Sequence, residues 1–325
     1  MSTVLKENAA LNTPSSMDFF RKVPLEVAER ICGLGDHNEF STTLGCYDRM
    51  FWKYRLIDFP SAWFQASSEF LAFLWLLHGS SFYMSPIARK WSIDSYRFSL
   101  KHLNRDGSCV EAYPFERSFC CTAFIAGNIT SSMQILGKTE CIPHLLRMGE
   151  FLVKNSGECV SNQVAAAALA LFRLGKVTGN RDFICGAREK IQLLYRNQTP
   201  EGFFHEYGGL DLGYLSITLS LLARIEDEFS QQIDYEKINR ALSLIEGLID
   251  ENGSYDPSDM SRNTQFLYPF GLLFWGSPVI GRMINGLSRG RIIRPAWLDD
   301  RYVIPLAIDY LYSTAWLERN RRYEA

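Results

Sequence analysis

Three short segments read almost alike. Asp106-Gly107-Ser108, Glu201-Gly202-Phe203 and Asn252-Gly253-Ser254 each place a glycine beside a polar residue, after an amphipathic stretch and ahead of a long apolar one. Ser156-Gly157-Glu158 is a weaker copy. The copies lie at 106, 156, 201 and 252, spaced 50, 45 and 51 residues apart. A fixed period of this size marks a repeat architecture, because one supersecondary unit cannot bury its apolar faces alone and needs a neighbour on each side. A functional site is expected in the loops that open one end of each unit.

Apolar residues recur with a helical period between these turns, as in Leu242, Ile245 and Leu248-Ile249, and strand-like alternation is almost absent. After a disordered tail at 1–16 and a first helix through Val27 and Ile31, residues 17–325 are expected to form one all-α domain of six helical hairpins. The expected inner helices are 62–78, 116–136, 162–174, 211–225, 263–274 and 301–317. The expected outer helices are 86–103, 143–154, 181–197, 235–249 and 278–287. The N-terminal helix is the sixth outer partner and closes the ring. The alanine-rich run within 162–174 suits tight helix packing. Six hairpins of this size predict an (α/α)6 toroid.

Composition narrows the function classes. Apolar residues make up 47% of 325, enough for a large core. The net charge of −2 gives no reason to expect a nucleic-acid partner. The eight cysteines show no metal-ligand spacing, so no metal or other cofactor is expected, and the thiols are read as reduced and buried. The polar start lacks the features of a signal peptide, and the apolar stretch 70–77 is too short to span a bilayer. A cytoplasmic protein acting on a small molecule or oligosaccharide is expected.

The segments entering the inner helices carry the chemistry. Trp52, Lys53, Arg55 and Asp58 lead into the first. Glu111, Tyr113, Glu116 and Arg117 precede the second, and Glu158, Asn162 and Gln163 the third. His205, Glu206, Tyr207 and Asp211 precede the fourth, with Tyr214 a turn on. Arg262, Asn263 and Gln265 serve the fifth; Asp300 and Arg301 serve the sixth. In a toroid all six sets converge on one funnel. Asp211, Tyr214 and Thr218 fall on one helix face, as a cavity floor or a hydrogen-bond network across the ring. Glu116 beside Arg117 reads as an internal ion pair or as a carboxyl tuned by its neighbour. Lys53, Arg117, Arg262 and Arg301 would make the funnel cationic and suit an anionic ligand. Trp52, Tyr113, Phe115 and Tyr207 offer stacking surfaces.

Over about 47–317 the helical-hairpin period with its glycine turns resembles the α/α-toroid superfolds. One branch holds the six-hairpin glycosidases and toroid polysaccharide lyases. The resemblance implies cleavage of a glycosidic bond, by hydrolysis or elimination, at an acidic sugar. His205 or Tyr207 would be the base, Glu206 and Asp211 acid and base, and Arg117 and Arg262 substrate anchors; hydrolysis needs two carboxyls. The other branch holds terpenoid cyclases and protein prenyltransferase β-subunits. Asp106-Gly107-Ser108 and Asn252-Gly253-Ser254-Tyr255 are similar to its Asp-Gly-Ser-Trp repeat motif, and Asp211-Leu212-Gly213-Tyr214 is similar to the prenyltransferase zinc-binding stretch, with Leu215 at its cysteine position. That branch implies an apolar inner cavity. A non-catalytic glycan-binding or scaffold protein is the third expectation, with binding but no turnover.

Overall fold

The computed structural model describes residues 14–157, 160–230 and 233–324. They are all-helical, and among them there is no strand, only isolated bridges in loops. The helices are α1 (Pro14–Glu26), α2 (Ala28–Cys32), α3 (Arg49–Trp52), α4 (Ser67–Leu76), α5 (Pro86–Lys101), α6 (Phe119–Ile135) and α7 (Ile142–Lys154). There follow α8 (Ser161–Thr178), α9 (Arg181–Arg196), α10 (Leu212–Phe229), α11 (Tyr235–Leu248), α12 (Pro269–Phe274), α13 (Val279–Ser288) and α14 (Val303–Glu324). Of the expected N-terminal tail, 1–13 lie outside the described residues and 14–16 open α1.

Five of the longer helices are capped at their start by a side chain. Ser85, Ser118, Asn180, Asp211 and Asp234 accept hydrogen bonds from the first turns of α5, α6, α9, α10 and α11. The expected inner helix at 62–78 is a 3₁₀ turn, Ala62–Ala66, running into α4. The expected inner helix at 263–274 is shorter. Asn263 takes a positive φ of 53°, and α12 begins only where Pro269 supplies a helix-ready φ.

Helices α4, α6, α8 and α10 are buried over most of their lengths. Packing joins α4 to α6, α6 to α8, α8 to α10, α10 to α12, α12 to α14, and α14 back to α4. On their outer sides α5 covers α4, α7 covers α6 and α8, α9 covers α8, α11 covers α10, and α13 covers α12; α1 packs on α14. Small side chains let α8 fit among four neighbours: Ala165, Ala167, Ala168 and Ala170 have no exposed surface.

The glycine turns set the spacing between units. Asn104, Thr199 and Asp250 each donate a backbone N–H to the carbonyl four residues on and accept one from Gly107, Gly202 and Gly253. All three glycines have positive φ, at 88°, 106° and 75°. Each also presses its Cα against the backbone of the next outer helix, at Arg147, Arg240 and Arg282, where a Cβ has no room. Gly45, at the end of a longer loop, makes the same close approach against Asp94 of α5. The weaker copy differs: Gly157 lacks a positive φ and faces the Phe119 ring. Glu158 lies outside the described residues.

A belt of buried charge ties the inner helices together. Arg173 on α8 donates to the Gly127 carbonyl on α6 at 2.9 Å and the Tyr312 hydroxyl on α14 at 2.6 Å, and pairs with Glu228 on α10. Tyr312 donates to Glu69 of α4 at 2.5 Å. Arg224 of α10 pairs with Asp309 of α14, which also accepts the Phe270 N–H at the start of α12 at 2.8 Å. Asp211, Tyr214 and Thr218, read as a cavity floor or a network across the ring, take no part in this belt; Asp211 and Thr218 bond to Thr264 and Glu206 instead. No helix among the described residues is long and apolar enough to cross a membrane. The cysteines described are unpaired thiols; Cys185 is exposed and Cys120 and Cys141 are half-buried rather than buried.

Candidate functional site

At the end of the inner helices where the glycine-turn loops enter, a cavity of about 290 Å³ opens. Its wall is aromatic: Trp63, Phe124, Tyr207, Tyr214, Phe266, Tyr268 and Tyr302. Tyr207 and Tyr214 pack at 4.8 Å between centroids, and Phe266 lies between Tyr214 and Tyr268. Three charged residues line it: Glu111, Arg262 and Arg301. Arg301 pairs with Glu111 and lies 5.5 Å from both the Trp63 and Tyr302 rings. Arg262, exposed at the rim, lies 5.0 Å over Tyr207. Ring faces attract these cations, so both guanidiniums are held against the wall.

Five of the residues expected at the site therefore meet: Glu111, Tyr207, Tyr214, Arg262 and Arg301, with Asn162 beside them. The others do not line it. His205 is exposed, and its backbone carbonyl accepts from Ser161 N and Oγ at 3.0 and 2.7 Å. Asp211, expected as an acid or base, is fully buried and occupied. It caps α10, accepting from Tyr214 N at 3.1 Å, Arg262 N at 3.2 Å and the Thr264 hydroxyl. Trp52 donates its indole N–H to the Leu34 carbonyl at 2.9 Å, away from the cavity. Lys53, Arg55, Asp58, Tyr113, Phe115 and Gln265 are exposed to solvent. Arg117 is exposed and pairs with Asp106, not Glu116. Glu116 accepts the N–H groups of Glu111, Ala112 and Tyr113, folding its own loop. Asn263 is exposed and directs its amide to the carbonyls of Met260 and Pro257, and Asp300 pairs with Arg30 at 2.7 Å.

The residues missed by sequence reasoning are chiefly apolar: Trp63, Phe124, Ile217, Phe266, Leu298 and Pro305, with Cys120 and Thr264. Their signal is spacing. Cys120, Phe124 and Asn128 follow at i, i+4, i+8 on α6, and Tyr214, Ile217, Leu221 and Arg224 share one face of α10. These two stripes line the cavity and the hollow beside it, while Thr218 turns away to Glu206.

Glu206 stands behind Asn162. It has no exposed surface, accepts Asn162 N and Nδ2 at 3.1 and 2.7 Å, and accepts the Thr218 hydroxyl at 2.9 Å. Burial dominates these bonds and pushes its carboxyl up to about 8. Between about pH 4.5, the ordinary value, and about pH 8 the folded chain holds a proton that the unfolded chain has released. Stability from Glu206 is thus full below pH 4.5 and falls as pH rises to 8, by about 1.4 kcal/mol per pH unit for a single site. Glu206→Gln is expected to flatten this slope in thermal melts taken from pH 5 to 8; an unchanged slope would assign it elsewhere. Among the described residues no group of three or more His, Cys, Asp or Glu is placed to hold a metal ion. Comparison with protein-family models finds no match, and comparison with curated proteins finds none either.

Proposed function

We propose that the chain is an (α/α)6 toroid whose cavity binds a short isoprenoid diphosphate and acts on it, as a terpenoid cyclase- or prenyltransferase-like enzyme. The sequence of packing contacts from α4 round to α14 and back supports the toroid. The character of the wall carries the functional reading: seven aromatic residues against three charged ones. A hydrocarbon body gains by leaving water for such a wall. Arg262 and Arg301 at the mouth meet a diphosphate with planar, multi-donor guanidiniums. Positive charge that develops on the hydrocarbon as its bond to the diphosphate breaks is met by ring faces. The volume is at the small end for ligand pockets, roughly 300–1,000 Å³, and suits a short chain.

Glycosidic-bond cleavage is the second reading. One observation favours it: two carboxyls stand at the cavity in different settings, Glu111 on its wall paired with Arg301, and Glu206 behind Asn162, buried with a raised pKa. It ranks second because Glu206 exposes no surface and both its oxygens are engaged, so Asn162 faces the cavity in its place.

Thermal-shift measurements with geranyl diphosphate, inorganic pyrophosphate and an oligogalacturonate separate the readings, since a ligand specific for the folded state raises the melting midpoint. Geranyl diphosphate is expected to raise it most and pyrophosphate less. Stabilisation by the oligogalacturonate alone would favour the carbohydrate reading.

A further inference from the structure

The cavity does not end at its aromatic wall. A smaller hollow of about 20 Å³, here the neck, borders it and shares Trp63, Phe124, Ile217, Tyr268 and Pro305 with it, room for about one water-sized group. The end of the neck is polar: Asn128 from α6, and Ser220 and Arg224 from α10. Arg224 is 6% exposed. Its Nη2 pairs with Asp309 and its guanidinium lies 3.9 Å over the Tyr312 ring, but its Nε has no hydrogen-bond partner. Asn128 gives its amide to Glu69, and Ser220 gives its hydroxyl to Asp309 at 3.0 Å. Two donors on residues lining the neck therefore lack a partner, Arg224 Nε and the indole Nε1 of Trp63. A buried donor without an acceptor is costly.

The surrounding charge decides which acceptor fits. Glu69, Glu228 and Asp309 face Arg173 and Arg224. A further anion would add to an excess of carboxylates, whereas a neutral oxygen would not.

We propose that Arg224, with Asn128 and Ser220, forms a subsite that takes a neutral oxygen, a hydroxyl, carbonyl or ether, at the inner end of the bound ligand. This deepens the reading of the cavity as an isoprenoid site and rests on it for the ligand body. It makes the substrate an oxygen-bearing isoprenoid, with its anionic group at the mouth and its oxygen in the neck.

Two probe pairs test it on the full chain by calorimetric titration. One is geranyl diphosphate against ω-hydroxygeranyl diphosphate; the other is n-hexane against 1-hexanol, which needs no anionic mouth. The hydroxylated member of each pair is expected to bind at least tenfold more tightly, and Arg224→Lys, which keeps the cation for Asp309 but lacks Nε, is expected to bring the ratio below threefold. Failure of both diphosphates with a retained preference for 1-hexanol would remove the isoprenoid reading and leave the subsite standing. Equal affinities within every pair that binds, the result for a neck that simply keeps a resident water, would overturn the subsite, as would no binding by any of the four. A full preference in Arg224→Lys would overturn the assignment to Arg224. Should that variant not fold, the wild-type ratios decide.

Discussion

Gly253→Ala is expected to lower the midpoint of thermal unfolding by about 5 °C, a loss of roughly 3 kcal/mol spread over a chain of this size. Two costs combine. The first is backbone strain, because φ at 253 is 75° and an L side chain there costs about 1–2 kcal/mol. The second is steric. The new Cβ would collide with the Arg282 carbonyl and stand 2.6 Å from Gly286 Cα and N. Those are backbone atoms of α13, so relief requires moving a helix. The contrast is Gly281→Ala in the same helix, where φ is ordinary and open space surrounds the site. That change is expected to stabilise by about 0.5–1 kcal/mol through backbone entropy and helix propensity. Differential scanning calorimetry of both variants checks the pair. Equal shifts would mean that the turn does not press on α13.

Arg173→Met is expected to cost about 3–5 kcal/mol, read as a fall in the urea midpoint. Arg173 is 2% exposed and contacts the other inner helices that surround it. Its loss strands Glu69, which has no exposed surface, and Glu228 without their guanidinium. Most of the cost comes from those uncompensated carboxylates, not from lost attraction. Adding Glu69→Gln and Glu228→Gln to Arg173→Met is therefore expected to restore part of the stability. If the triple variant is less stable than the single one, the belt stabilises chiefly by its ion pairs.

The sequence made the architecture legible because the glycine turn is a local device with a steric cause. Gly107, Gly202 and Gly253 recur wherever a loop presses on the next outer helix, so the period of the turns is the period of the hairpins. Gly45 escaped notice because its loop is longer: Gly45 donates to Asp36, nine residues back, and Cys46 closes it. The fifth inner helix was read too long because 263–268 carry helix-compatible residues, while Thr264 is committed to Asp211 and Asn263 to a left-handed turn. The site was only partly legible. Charged residues that open an inner helix look alike in sequence whether they face the cavity, as Arg301 does, or solvent, as Arg55 does. Asp211 looked like chemistry because it is an acid in a polar loop, yet an acid three residues ahead of a helical N–H is equally a cap. Phe124 and Ile217 carry no signal of their own, because nothing in composition separates an apolar residue facing a neighbouring helix from one facing a cavity.

In the proposed function the aromatic cavity takes a hydrocarbon body while Arg262 and Arg301 hold its anionic head. Calorimetric titration of geranyl diphosphate into the native chain and into Arg262→Ala tests this most directly. Loss of one charge-assisted contact worth about 1.5–3 kcal/mol predicts affinity weaker by about tenfold to a hundredfold, and a heat-capacity change on binding that stays negative in both proteins as apolar surface is buried. Equal affinity in the two proteins, or no binding to the native chain, would contradict the claim.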